Sequence, residues 1–385
     1  MITSSTGILF VLAANAGLWF YLQRRTGSNL FNYIPPLMFI YVLSAVFSNT
    51  GLIVPDSELY DWMGSTMLPF LIVMMLLDVD VAATLKVAGK GVFVMLIGTV
   101  GVIVGAPIGY FVVKGWLDPE AWKGYGALAG SWIGGTGNMA AVAQGLGTSG
   151  THFGLAVIAD NVVYLVWLPL LLQSKNLAKW FHKFTGVSDE RIRKMKSAAG
   201  DMAVEKGKPQ LWDFIYLIAL GSGVTYLSTI LSELIPEAPP ILSASTYRIL
   251  LVTTFGIVLS FTPARRIPAS QELGIALVHL FVARMGAKTV VAGLAGQAVP
   301  FVAGAFIWIF IHGAFILFAS RIFKIDVHIA AISSAANIGA AATAPVVAAY
   351  HDERLVPVSI LMALLGYAIG NYAAFFAAWL CELVA

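Results

Sequence analysis

The chain has 385 residues, 59% of them apolar and only 11% charged, with a formal charge of +3 and a mean hydropathy of +0.84. Soluble domains carry roughly 25% charged residues, so this composition excludes a soluble globular protein, and so small a net charge gives no reason to expect a nucleic-acid partner. The single cysteine, Cys381, excludes an intramolecular disulfide and a multi-cysteine metal site.

In chain order, the first apolar run, 8–22, has no basic residue before it and is followed by Arg24 and Arg25. That is the pattern of a permanent first helix with its N-terminus outside, not of a cleaved leader. A bilayer-spanning helix needs about 20 apolar residues. Segments of that kind lie near 6–23, 34–53, 62–79, 91–113 and 153–173, and again near 211–234, 246–262, 271–287, 295–320 and 355–384. Trp19, Trp62, Trp116, Trp122 and Trp167 fall near the expected interfaces and read as anchors. Asp78 and Asp80, which end the third span, read as facing cytoplasmic water. Two further apolar stretches, 122–149 and 327–350, are rich in Gly, Ala, Ser, Thr and Asn. The polar segment 174–210 holds nine Lys/Arg and separates a first repeat, 1–173, from a second, 211–385.

Charge decides whether the two odd stretches cross. If both cross, the nine cations of 174–210 fall outside. If each dips in and returns to its side of origin, Arg24, Arg25, Lys86, Lys90, those nine, Arg265, Arg266, Arg321, Lys324 and Arg354 all fall inside, 18 of the 23 basic residues. The loops holding Asp56, Glu58 and Asp61, and Glu237, then lie outside. The positive-inside rule favours this second arrangement, with a local exception at Arg284 and Lys288. Each stretch is therefore expected to be a re-entrant hairpin of two short helices of about 15 Å, with Gly134, Gly135 and Gly137 easing the first reversal. A kinked crossing helix is the alternative. Five crossings per half is an odd number, so the second half must be inverted. The expected fold is an all-α integral membrane protein of about ten transmembrane helices in two inverted five-helix repeats, each with a re-entrant or broken hairpin, the architecture of secondary transporters.

The residues that could carry chemistry cluster in those stretches. Asp160 lies in "GLAVIADNVVYLVWLPLLL", and a carboxylate at helix centre costs roughly 2.5–3.5 kcal/mol on insertion scales. It is either a structural Asp hydrogen-bonded to the adjacent hairpin or a site for a proton or Na+. Asn161 beside it and Asn371 on the last span could add oxygen ligands to such a cation. At the tips, Gly134, Gly135, Thr136, Gly137 and Asn138 face Ser333, Ser334, Asn337 and Thr343 as uncharged candidate solute contacts, backed by half-helix N-termini that favour an anion. Their plainer roles are turn-making for the Asn pair and back-bonding for the hydroxyls. Arg284 either snorkels to the interface with Lys288 or neutralises an anionic solute or Asp160. His279 and His312 stand alone within spans and read as buried histidines satisfied by hydrogen bonds. No HExxH, P-loop or GxSxG motif occurs, so neither hydrolysis nor ATP-driven transport is expected, and no cofactor beyond the coupling ion.

The order of spans, "GSWIGGTGNMAAVA" and the following "ADNVVY" resemble the YjcL-like membrane proteins, a family of unknown function, over essentially the whole chain. That family is distantly similar to cation/proton antiporters, bile-acid/sodium symporters and glutamate/sodium symporters. The resemblance implies two inverted five-helix repeats with broken elements crossing at the core. The antiporters carry an acidic pair or Asn-Asp after the first broken element, where this chain has Asp160-Asn161 in reversed order. The Gly-Gly-x-Gly of the glutamate and citrate symporters is matched by Gly134, Gly135 and Gly137, whereas the second half has Ala335, Ala336 and Asn337.

The sequence therefore reads as an ion-coupled (Na+ or H+) secondary transporter of a small polar, anionic organic solute, in a bacterial inner or plasma membrane. Spans three to five of each half plus the hairpins would form a moving core, and the first two spans of each half a scaffold with a homodimer contact. A cation/proton antiporter without organic substrate and a non-transporting receptor are the alternatives. The topology has a direct test. Cysteines introduced as Thr26→Cys and Lys194→Cys should react only with reagents that reach the cytoplasm, and Ser57→Cys from outside. Labelling at position 194 from outside would refute the re-entrant arrangement.

Overall fold

The computed structural model describes residues 1–28, 30–187, 207–294 and 296–385; the 188–206 part of the basic segment lies outside them. The described residues form helices and connections, with isolated bridges only between Ile2 and Ile53 and between Ala238 and Leu242. The first half contains α1 (Ser5–Thr26), α2 (Pro36–Asn49), α3 (Glu58–Leu76, with a π turn at Met63–Met67), α4 (Val81–Ala88), α5 (Lys90–Val113), α6 (Ala121–Gly145) and α7 (Gly150–Gln173). After α8 (Ala178–Thr185) come α9 (Leu211–Glu233), α10 (Ala244–Ser260), α11 (Ser270–Ala287), α12 (Ala298–Phe323), α13 (Val327–Asn337), α14 (Ala340–His351) and α15 (Val356–Leu383). Each of the ten apolar segments is a helix. Among the described residues seven helices are long and apolar enough to cross a membrane, while α2 and α10 are shorter apolar helices.

Local chemistry sets the ends. Ser4, Ser57, Asp80, Ser149, Ser243 and Asp326 accept from the first-turn N–H groups of α1, α3, α4, α7, α10 and α13. Asp80 also pairs with Arg265 (2.8 Å), and Ser270 donates to Asp78 (2.8 Å). These two carboxylates thus join the end of α3 to the approach to α11, beyond the solvent-facing role expected for them.

Both small-residue stretches double back. In α6 the helix breaks at Gly134 (φ −136°, ψ 15°) and Gly135 (φ 75°, ψ −174°). A Cβ on Gly130 would lie 2.8 Å from the Asn138 carbonyl oxygen, although residues eight apart in a continuous helix are about 12 Å apart. The arms are therefore antiparallel, which removes the kinked-crossing alternative. In the second stretch the chain turns at Ile338 and Gly339 (φ 99°), and His328 and His351, at the far ends of α13 and α14, hydrogen-bond through their Nδ1 atoms (3.0 Å). The tips meet: a Cβ on Gly135 would be 2.9 Å from Ala340 Cβ.

The helices pack as two groups. In one, α5 lies along α12 with Gly98, Gly101, Gly105 and Gly109 on a single face, against Ile316, Phe315, Trp308 and Gly304; small residues at this spacing let backbones approach. The hairpin of α6 lies along α15, where Gly366 leaves room for the Ile133 carbonyl and Gly370 for the Asn138 amide. In the other group α11 packs on α2 and α3, α3 also on α9 and α10, with α1 on α2 and α9 on α10. The third spans thus belong with the first two and not with the expected core. Within this group α3 is the enclosed helix: 72% of its apolar window is buried, against 22% for α1 and for α9.

Gly135 adopts a conformation that side chains enter at a cost of about 1–3 kcal/mol, and a methyl there would also press on Ala340. Gly135→Ala should lower the thermal midpoint of the purified protein by several degrees, whereas Gly17→Ala, with open space around it, should not. Equal midpoints for Gly135→Ala and wild type would contradict this turn.

Candidate functional site

Asp160 stands ten residues into α7, about 15 Å from its start. Its Oδ2 accepts from the Ser131 hydroxyl (2.9 Å) and its Oδ1 from the Trp132 indole N–H (2.8 Å), both on the arm of α6 just before the turn. Among the described residues no cation lies within 4 Å of it, and each oxygen keeps a lone pair free. Trp132 is fixed by packing. Its ring lies 4.5 Å from that of Trp308, which in turn stacks on Tyr125 and donates to the Val102 carbonyl (2.7 Å). One turn beyond Asp160, Tyr164 reaches the Thr343 hydroxyl in the first turn of α14. A single face of α7 therefore touches both hairpin tips.

The other tip residues turn towards neighbouring helices. Asn138 is buried and donates to the Tyr367 carbonyl (3.1 Å), Gly137 faces Met75 of α3, and Thr136 keeps some accessible surface. On α13, Ser333 donates to the Gly91 carbonyl (3.3 Å). Asn337, oriented to satisfy its whole amide, accepts from Thr99 (2.9 Å) and donates to the Met95 and Ser333 carbonyls. Ser334 accepts from the Trp167 indole (3.0 Å) and lies 2.9 Å from His312 Nε2, while His312 Nδ1 faces the Gly98 carbonyl (3.0 Å). A carbonyl can only accept, so His312 carries its proton on Nδ1 and Ser334 donates to Nε2. His312 is thus the satisfied buried histidine expected. Trp167 is no interfacial anchor, because its N–H closes this relay, and Trp122 is also buried.

Other candidates lie in separate surroundings. Arg284 is 4% exposed and does not snorkel. It donates to Gln144 Oε1 (3.2 Å), lies over the Phe281 ring and abuts Gly64 in the π turn, and it does not pair with Asp160. The Asn161 amide donates to the Val157 carbonyl (2.8 Å). Asn371 donates to Thr253 on α10 (2.8 Å), leaving its Oδ1 buried without a partner. The structure thus gathers Asp160, Gly135 and Thr343 with three residues that the sequence reading passed over: Ser131, Trp132 and Tyr164. The signal for Trp132 was available, since a tryptophan inside an apolar hairpin needs an acceptor for its N–H and Asp160 is the carboxylate at that depth.

A family model described as a protein of unknown function (DUF819) matches residues 8–383, and the chain belongs to that family. It is similar to the uncharacterized membrane protein YjcL of Bacillus subtilis (strain 168), with 28% identity over 347 residues that cover 86% of each chain. Together with the seven long apolar helices, this identifies a multi-pass membrane protein.

The relay through Ser334 has a measurable stability role. Ser334→Ala would leave the Trp167 N–H and His312 Nε2 without partners, at roughly 1–3 kcal/mol each. The thermal midpoint should fall by several degrees; a shift within error would make the relay dispensable.

Proposed function

We propose that this member of the family is an ion-coupled secondary active transporter working by alternating access. The observation that carries the reading is the meeting of two hairpin tips, Gly135 against Ala340, beside an uncompensated carboxylate, Asp160. Broken elements that meet inside a bundle, with an ionisable group at the junction, are how such transporters build a site. The matched packing of the two halves supports an inverted repeat: α1 and α9, α2 and α10, α3 and α11, α5 and α12, the two hairpins, and α7 and α15 occupy corresponding places. Each half then has five crossings and one hairpin, with the N-terminus outside and the basic segment cytoplasmic. The group around α5 and α12 would move against the group around α3 and α11, with the exposed faces of α1 and α9 offering a homodimer contact.

In this reading Asp160 binds Na+ or H+, using the lone pairs left free by Ser131 and Trp132. A small anionic solute would contact Thr136, Thr343 and the helix N-termini at the tips. A cation/proton antiporter without organic substrate is the second reading. It is favoured by the closeness of the tips and by the engagement of Asn138, Ser333, Ser334 and Asn337 with neighbouring helices, which leaves ligands enough for an ion.

The test is Asp160→Asn, which keeps both hydrogen-bonding positions occupied and removes the charge. Wild-type protein should gain thermal stability from Na+ or respond to pH by mass action, and vesicles should accumulate substrate against its gradient. The variant should fold, lose the ion response and lose uphill accumulation. A folded Asp160→Asn protein with unchanged ion dependence would remove Asp160 from the mechanism. Ion or proton exchange without any solute-dependent flux would select the antiporter.

A further inference from the structure

A second polar site lies away from the hairpins, between α3, α9 and α10. A cavity of about 350 Å³ is walled by Ser65 and Thr66 of the π turn, by Ser222, Thr225, Tyr226 and Thr229 of α9, and by Arg248 of α10. Arg248 Nε is enclosed and has no hydrogen-bond partner, and among the described residues no carboxylate lies within 4 Å of its guanidinium. Arg248 itself is half-exposed, but a buried N–H left without an acceptor costs roughly 1–3 kcal/mol, so a ligand that supplied an acceptor there would be favoured.

The hydroxyls around it divide by function. Ser65, Thr225 and Thr229 give their protons to the carbonyls of Asp61, Gly221 and Thr225. Thr66, Ser222 and Tyr226 are exposed and make no hydrogen bond among the described residues, so three donors of the pocket lining are open to a ligand, and no acidic side chain lines the space. The π turn produces this division: it sets Gly64 against Arg284 on one side and presents Ser65 and Thr66 to the cavity on the other, and such turns recur at functional sites. The charge pattern points the same way. Arg248 is one of only five basic residues, with Lys114, Lys123, Arg284 and Lys288, that fall outside the set gathered on the basic side. The rim is open to the membrane-facing surface, where Tyr226 is 70% exposed next to Leu227 and Ile230.

We infer that this pocket binds a phosphate ester anion, the headgroup phosphate of a phospholipid, with Arg248 as its counter-cation and Thr66, Ser222 and Tyr226 as neutral donors. The site is separate from the hairpin tips and stands whether or not the transport reading does.

The experiment uses the full-length protein, delipidated in detergent, and follows thermal unfolding against dioleoyl phosphatidylglycerol, against dioleoylglycerol with the same tails and no phosphate, and against inorganic phosphate. The phosphatidylglycerol shift should exceed the dioleoylglycerol shift in wild type. Its half-saturation should weaken at least about tenfold in Arg248→Gln, as expected when a charge-assisted hydrogen bond is lost. The double variant Thr66→Val/Ser222→Ala keeps the charge and should weaken it as well; if Arg248→Gln does not fold, this variant decides. An equal Arg248-dependent shift with inorganic phosphate would uphold the anion site and assign it to soluble phosphate. No phosphate-specific shift in wild type, or the same shift in wild type and both variants, overturns the proposal.

Discussion

A backbone that reverses direction inside a bilayer must have its freed polar groups covered by protein, because lipid offers no partners. In this molecule the two reversals cover each other, and most of the surrounding structure serves that contact. Gly370 of α15 makes room for the Asn138 amide, and Gly98 of α5 makes room for that of Asn337. Each tip is thus held by one asparagine seated in a groove cut by glycine in a helix of the other half. The close α5–α12 contact brings the two grooves into register, and the same glycine stripe supplies the carbonyl that fixes His312.

Charge is handled sparingly. Arg284 is buried and Asp160 half-buried, and neither is paired with an opposite charge among the described residues. Asp160 is met by a hydroxyl and an indole, Arg284 by an amide oxygen and an aromatic face. Neutral dipoles of this kind stabilise an ion without cancelling its charge.

Much of the fold was legible because its causes are local. Apolar length marked the ten helices, and the glycines of "SWIGGTGNMAAVAQ" marked the first reversal. The distribution of Lys and Arg argued for hairpins before any geometry was known. The second reversal was legible only by analogy with the first, because Ile338 and Gly339 carry a weaker turn signal than Gly134 and Gly135. The site was read less completely. Asp160 stood out by its cost in lipid, but its partners are fixed by where one arm of a hairpin lies against α7, which no spacing encodes. The hydroxyls and amides of α13 read as ligands because polarity is visible in a sequence and the direction of a hydrogen bond is not. The grouping of α3 and α11 with the outer helices was invisible for a related reason: both groups are equally apolar, and lipid-facing and protein-facing surfaces look alike in composition.

The two hairpins are also anchored differently. The polar contacts of α13 and α14 described above stay within their own group, on α5, α7 and α12. The last carbonyls of α6 instead accept from the head of α10: Gly145 from Ser243 (3.2 Å) and Gln144 from Ser245 (3.2 Å), while the Thr246 hydroxyl beside them gives its proton to the Ile241 carbonyl (2.5 Å). The two serine hydroxyls join the two groups beside the Arg284–Gln144 bond between α11 and α6 (3.2 Å) and the Asn371–Thr253 bond between α15 and α10 (2.8 Å). At about 1 kcal/mol each the two serine bonds hold the end of α6 to the head of α10 by about 2 kcal/mol. The serines at the head of α10 thus act as a clasp on the end of the first hairpin, a polar tie that the second hairpin's contacts described above do not have.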